Sequence, residues 1–349
     1  PNDVKTVLTP GSRPSARWAT SYVAAKQSTS LFQSGGVRSS ATHTESIDGV
    51  LVTTFRLLPT SSLWRFDYAN LFWSQLRPTI PHGSQNGVCG RWLNSTSAFG
   101  TASLGEGDNT LLFIFGGAVA YQSKLPLTED STSEYVFDSS GAMSSTLYII
   151  DTAEAKVLKC LDRYTTLSKI WPSPRARHAA SFVGTPKQGD LFVTGGMQAS
   201  AACAQGPGGG GGAGGGASPC VAQNPAGAYP ADGILGRGVA DVQGQVWWLD
   251  VSNCLGPDES QCEWKMLSAD PDCAEGETVT KPPTVAGHSM VALQRNGQIW
   301  LVTYGGQKTT VTTSHGVSNS DVYIGVVNKA KLLVSWYRVS PEKAPPPAG

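Results

Sequence analysis

Leu111-Leu112-Phe113-Ile114-Phe115-Gly116-Gly117 contains the longest unbroken aliphatic and aromatic run of the chain and ends on a glycine doublet. Three other stretches end the same way: Leu31-Phe32-Gln33-Ser34-Gly35-Gly36, Leu191-Phe192-Val193-Thr194-Gly195-Gly196 and Leu301-Val302-Thr303-Tyr304-Gly305-Gly306. Each is followed by a second strand-like segment: Leu63-Trp64-Arg65-Phe66-Asp67, Leu147-Tyr148-Ile149-Ile150-Asp151, Val246-Trp247-Trp248-Leu249-Asp250 and Val322-Tyr323-Ile324. A third segment carries Trp73, Trp264 or Trp336, with Val157-Leu158 in its place in the second unit. A fourth opens on Arg91-Trp92, Arg177-His178 or Gly287-His288, and a further copy, Arg17-Trp18-Ala19-Thr20-Ser21-Tyr22, precedes the first unit. Self-similarity of this kind marks a repeat architecture.

Composition agrees. Gly (40) and Pro (22) make up about 18 % of 349 residues, against roughly 12 % in an average protein. Many turns imply many short strands. Lys plus Arg and Asp plus Glu both total 26, and this balance argues against a polyanion such as nucleic acid as the partner. A 40 % hydrophobic content supports a packed core. The longest apolar run is far short of the roughly 20 residues needed to span a bilayer, so no membrane insertion is expected.

The order of doublet, aromatic–Asp strand, Trp strand and Arg/His strand resembles the kelch repeat, and the resemblance covers about residues 15 to 340. It implies an all-β fold: a kelch-type β-propeller with four recognisable four-stranded blades, part of a larger propeller. The expected blades run about 30–100, 110–184, 189–294 and 297–340. Residues 15–24 either complete the fourth blade and close a small ring, or both ends continue into further repeats. The second arrangement is preferred. Residues 1–14 read as the end of a preceding repeat or linker, and 341–349 as a Pro-rich linker.

Architecture accounts for the repeat-defining residues: Gly35, Gly36, Gly116, Gly117, Gly195, Gly196, Gly305, Gly306, Trp73, Trp264, Trp336, Arg177, His178 and His288. The doublet strands are expected nearest the axis, covered on both sides. Their glycines suit close backbone approach and positive φ. The strand-ending Asp suits a tight turn; the fourth unit departs from the pattern, with no Asp closing Val322-Tyr323-Ile324-Gly325-Val326 and Asn328 as the candidate substitute. The Trp is expected to fill the space between blades.

Long segments fall after each doublet, at Val37–Ser61, Ala118–Ser145, Met197–Gly244 and Gln307–Ser320. Antiparallel order puts them on one face of the disc, together with Pro78–Val88 and Asp270–Thr284. Loops on a rigid scaffold are where binding residues concentrate. Arg38, Tyr121 and Tyr229 are candidate partner contacts there, chosen by hot-spot chemistry alone. The glycine tract within 206–216 has no Gly-Lys-Ser/Thr and no following helical period, so it reads as a tether and not as a phosphate loop.

Seven cysteines occur, at 89, 160, 203, 220, 254, 262 and 273. Their spacings do not match zinc sites. Disulfides Cys203–Cys220 and Cys254–Cys262 are expected, each pinning a loop, which implies an oxidising compartment. Cys160 reads as a small buried hydrophobe. Asn94-Ser95-Thr96 is a glycosylation acceptor, expected on an outer-rim strand. His43, His82 and His315 fall in long loops of different blades and form no metal-ligand pattern. No Gly-x-Ser-x-Gly elbow or His-Glu-x-x-His pair occurs.

No catalytic residue, cofactor or metal is therefore assigned. The expected function is a non-catalytic module, extracellular or at the cell surface, binding a protein or glycan partner or self-assembling in a larger complex. The alternatives are an intracellular kelch adaptor or cytoskeletal or ciliary scaffold, and a galactose-oxidase-like metal-dependent oxidase, for which the required Tyr–Cys, Tyr and His set cannot be assigned.

Overall fold

A computed structural model describes residues 13–15, 20–24, 29–47, 50–59, 62–79, 95–96, 100–104, 111–119, 144–163, 165–168, 170–185, 188–199, 239–241, 245–270, 285–308 and 317–339. Among them, four antiparallel four-stranded meanders follow one another in chain order. The first comprises β1 (Ser21–Ala24), β2 (Ser30–Ser34), β5 (Leu63–Asp67) and β6 (Phe72–Leu76), with the ribbon β3 (Val37–Ile47) and β4 (Val50–Pro59) inserted after β2. The second comprises β8 (Gly100–Leu104), β9 (Leu111–Phe115), β11 (Leu147–Asp151) and β12 (Lys156–Leu161). Beside it, β7 (Ser95–Thr96) pairs with β10 (Ala118–Val119).

The third comprises β13 (Ala179–Thr185), β14 (Gln188–Thr194), β17 (Val246–Asp250) and β18 (Trp264–Ala269), with the ribbon β15 (Met197–Ala199) and β16 (Val239–Asp241). The fourth comprises β20 (Ser289–Arg295), β21 (Gln298–Tyr304), β24 (Val322–Asn328) and β25 (Leu333–Val339). Its accompanying ribbon is β19 (Val285–Ala286), β22 (Gln307–Lys308) and β23 (Val317–Ser318).

Neighbouring meanders touch at both edges. Their first strands lie side by side in the order β1, β8, β13, β20. At the opposite edge β18 pairs in parallel with β25 through Ser268–Leu333 and Ala269–Val334. Asp270 N donates to Val334 O at 3.0 Å there, and Thr79 N donates to Ala155 O at 2.8 Å at the matching place between the first two meanders. Joined this way, the last two meanders make one eight-stranded sheet whose free edges, β13 and β20, are bridged by Ala292 N donating to Ser181 Oγ at 2.8 Å. The fold is all-β and propeller-like.

The pairing shifts the unit boundaries expected from the repeat by one strand. Each Arg/His segment leads into the first strand of the meander that follows it, as β13 pairs with β14 and β20 with β21. Residues 15–24 accordingly supply β1 to the first meander and do not complete the fourth. The doublet strands are second in their meanders, not at the innermost edge. Their unbroken apolar character has another cause: successive side chains point to opposite faces, and each face enters a different core. Leu191 and Val193 join Phe113, Leu249 and Trp264 between the second and third meanders, while Phe192 joins Leu301, Tyr323 and Trp336 between the third and fourth. A further core, with Phe32, Leu63, Ile114 and Tyr148, lies between the first and second.

The strand-ending acids build the turns. Asp67 Oδ1 accepts from Ala69 N and Asn70 N at 2.8 and 3.1 Å, and Asp151 Oδ1 from Ala153 N and Glu154 N at the same distances. Asn328 Oδ1 fills this place in the fourth meander, accepting from Lys331 N at 3.1 Å. Each turn ends four residues on in a left-handed residue: Leu71, Ala155 or Leu332. In the third meander Asp250 starts a 3-10 turn instead, and the longer connection is closed by the Cys254–Cys262 disulfide.

Candidate functional site

The glycine doublets are where the scaffold hands the chain to the long insertions. Both residues of every doublet have positive φ, for example 62° and 89° at Gly195 and Gly196, a conformation costly for residues with a Cβ. Two left-handed residues in succession turn the chain out of the meander. The next residue begins a separate ribbon in all four cases: Val37, Ala118, Met197 and Gln307.

The bases of these insertions are fixed by backbone hydrogen bonds. Ser144 N donates to Gly117 O and Asn319 N donates to Gly306 O, both at 2.8 Å, where the chain returns to β11 and β24. Gly117 N donates to Arg175 O at 2.8 Å, and Gly196 N to Val285 O at 3.0 Å, binding each doublet to the segment that opens the next meander.

That segment packs the doublet through its histidine. A Cβ on Gly116 would lie 2.8 Å from Arg175 O and 2.9 Å from His178 Cε1, and one on Gly195 2.5 Å from His288 Cε1. The residue before each histidine is itself left-handed, Arg177 at φ 55° and Gly287 at 70°, which explains why either Arg or Gly occupies it. Burial, with the charges of Arg175 and His288, lowers the His178 pKa to about 3 against an opposing hydrogen bond to the Phe115 backbone. Burial lowers that of His288 to about 4. Both imidazoles are neutral at pH 7.

Arg175 is fully buried and escaped the sequence reading, which placed the basic residue of this motif at Arg177. Its Nη1 donates to Gly195 O at 3.2 Å, its Nε to Ser173 O at 3.1 Å and its Nη2 to Ser173 Oγ at 3.0 Å, with the guanidinium over Trp247. Burial lowers its pKa to about 10, so it stays charged at pH 7. Arg175 ties down the Gly195 carbonyl and the two imidazoles pack against Gly116 and Gly195, so the cluster holds the doublets in place. Among the described residues no group of three His, Cys, Asp or Glu is placed to hold a metal ion.

Trp264 packs edge-on to Trp171 and against Phe115, and Trp336 is buried in the next core. Trp73 is half-buried and packs on Phe66. The Cα atoms of Cys254 and Cys262 are 4.5 Å apart in their disulfide. Cys160 is disulfide-bonded as well, a correction to its reading as a simple buried hydrophobe, and its partner lies outside the described residues. Ser95 and Thr96 of the acceptor sequence form β7 in the small ribbon with β10, not an outer-rim strand. Arg38 and His43 lie on β3. Asn94, Tyr121, Tyr229, His82, His315, Cys203 and Cys220 lie outside the described residues.

No family model matches the chain, and no curated protein matches it. Among solved structures it is similar to a chain in the cryo-EM structure of RAG in complex with one melted and one unmelted RSS. Identity is 13 % and the TM-score 0.41, over 92 % of this chain and 66 % of that one, so this chain spans just under two thirds of its length. It is also similar to the major Malassezia sympodialis allergen Mala s 1, at 10 % identity and a TM-score of 0.30, over 80 % and 73 % of the two chains. Likeness at these scores carries no functional argument.

Proposed function

We propose that the chain is a kelch-type β-propeller segment of four blades within a larger ring, working as a non-catalytic recognition module. It binds a protein or glycan partner through the face bearing the four long insertions. The observation that carries this reading is their common origin: each leaves its meander through a left-handed glycine doublet, and the second and third doublets are fixed to the segment that opens the next meander. A fixed base with a variable loop is how scaffolds present binding residues. The Cys254–Cys262 disulfide and the bonded Cys160 support an extracellular or cell-surface setting.

The test is binding of the purified chain to a glycan array and to an array of extracellular proteins, with copper content measured on the same sample. The expected result is a bound glycan or protein, lost when the insertions at 37–61, 118–145, 197–244 and 307–320 are cut to short turns. Binding that survives these deletions overturns the proposed face. Stoichiometric copper overturns the non-catalytic reading.

A further inference from the structure

We infer that the disulfide partner of Cys160 is Cys89, so that a covalent bond ties the chain leaving the first meander to the outer strand of the second. This bond is independent of what the insertions bind.

Cys160 is disulfide-bonded, and Cys254 and Cys262 are bonded to each other. Seven cysteines occur in the chain. The partner of Cys160 is therefore Cys89, Cys203, Cys220 or Cys273, all of them outside the described residues. The direction in which Cys160 faces separates these four.

Neighbouring residues of β12 point to opposite sides. Leu161 enters the core shared with the third meander, and Lys159 Nζ lies 3.0 Å from Glu259 Oε1 of that meander. Cys160 points the other way. It enters the core that holds Phe32 and Leu63 of the first meander with Tyr148, Ile150 and Val157 of the second. Leu76, at the end of β6, packs against the same core. The Cys160 side chain thus stands in the junction of the first two meanders.

At Thr79 the chain beyond β6 is heading toward it. Thr79 pairs in parallel with Lys156 at the start of β12, and Val157 N donates to Thr79 O at 2.9 Å. Parallel pairing gives the two segments a common direction, and Cys160 is four residues, about 13 Å, further along β12. Ten residues lead from Thr79 to Cys89, a length that spans up to about 33 Å. Cys89 is within reach of Cys160.

The other three cysteines are anchored elsewhere. Cys203 and Cys220 belong to the insertion that leaves the third meander and returns to it through the Ala199–Val239 pair. Cys273 follows three residues after Asp270, whose N donates to Val334 O of the fourth meander at 3.0 Å, and three residues reach about 10 Å. The sheet of the second meander stands between both anchors and the face that Cys160 occupies.

Forming the bond removes one proton and one electron from each thiol. A disulfide-bearing oxidant takes up both electrons and both protons as it is cleaved to two thiols, by exchange through a mixed disulfide. The product adds a covalent tie to two meanders that the Thr79–Lys156 bridge joins at their outer edge.

The test is peptide mapping of the 349-residue chain, alkylated in denaturant without reduction and digested with trypsin. Cleavage after Lys and Arg, but not before Pro, puts Cys160 in 160–163 and Cys89 in 66–91. It puts Cys203 and Cys220 together in 188–237 and Cys273 in 266–295. The expected product is 66–91 joined to 160–163, parted into two masses by reduction. Cys89→Ser is expected to make Cys160 alkylatable without reduction, whereas Cys203→Ser and Cys273→Ser leave it protected. The wild-type map decides the pairing whether or not a variant folds. Peptide 160–163 joined to 188–237 or 266–295, joined to a second copy of itself, or alkylated in the unreduced wild type overturns the proposal.

Discussion

Lys329 Nζ, in the turn between the last two strands, lies 3.0 Å from Asp190 Oδ2 on β14 of the preceding meander. Trp248 Nε1 donates to Oδ1 of the same carboxylate at 2.6 Å, and the Lys329 ammonium stands over the Trp248 ring. One carboxylate thus ties the buried face of the third meander to the fourth. Asp190→Ala leaves the indole N–H without its acceptor, so a loss of about 1–3 kcal/mol is predicted. Lys329→Met is expected to cost less, about 1 kcal/mol or below, because the ammonium is half-exposed. Urea midpoints of the two variants check the order, and equal losses would refute it.

Acid sensitivity follows from the buried imidazoles. In the unfolded chain they take up protons near pH 6.5, but in the folded chain only near about 3 for His178 and about 4 for His288. Between these limits the unfolded state holds more protons, so stability is full above about pH 6.5 and falls as pH drops. Each histidine contributes a slope approaching about 1.4 kcal/mol per pH unit. His288→Gln is predicted to remove its share. Urea titrations at pH 7, 6, 5 and 4 measure the slopes, and an unchanged slope in the variant would contradict the assignment.

Gly196 and Gly287 are both left-handed but differ in surroundings. A Cβ on Gly196 would meet Ala176 O at 2.7 Å and His178 Cβ at 2.8 Å, whereas one on Gly287 meets nothing within 4 Å. Gly287→Ala is predicted to cost only the backbone strain, about 1–2 kcal/mol. Gly196→Ala adds a collision with the segment that opens its own meander and is expected to cost at least twice as much. Thermal unfolding of the pair decides it.

The Cys254–Cys262 disulfide, eight residues apart in sequence, replaces the short turn used by the other three meanders. Changing both cysteines to Ala is predicted to lower stability by about 2–3 kcal/mol. The effect should vanish when wild type and variant are compared under full reduction.

The repeat was legible because its marks are local requirements: positive φ at the doublets, a carboxylate or Asn328 amide over a tight turn, a Trp for a thick core. Its phase was not. A cyclic pattern of four strands reads equally well from any starting strand, and only hydrogen bonding assigns Ser21–Ala24 to the first meander and not to the fourth. Arg175 was invisible for a different reason. Composition places arginine at the surface, and nothing local signals that the Gly195 carbonyl and the Trp247 ring receive it inside. Cys160 likewise reads as a small apolar residue on a strand, because a disulfide partner distant in sequence leaves no local trace.

The central claim, a disulfide-stapled extracellular module, is tested most directly by intact mass of the protein from its native source. Thiols are alkylated in denaturant before and after reduction. The account predicts that at least four of the seven cysteines, Cys160, Cys254 and Cys262 among them, are labelled only after reduction, with a hexose-bearing increment at Asn94. Seven alkylated cysteines without reduction would contradict it and leave the intracellular scaffold as the better reading.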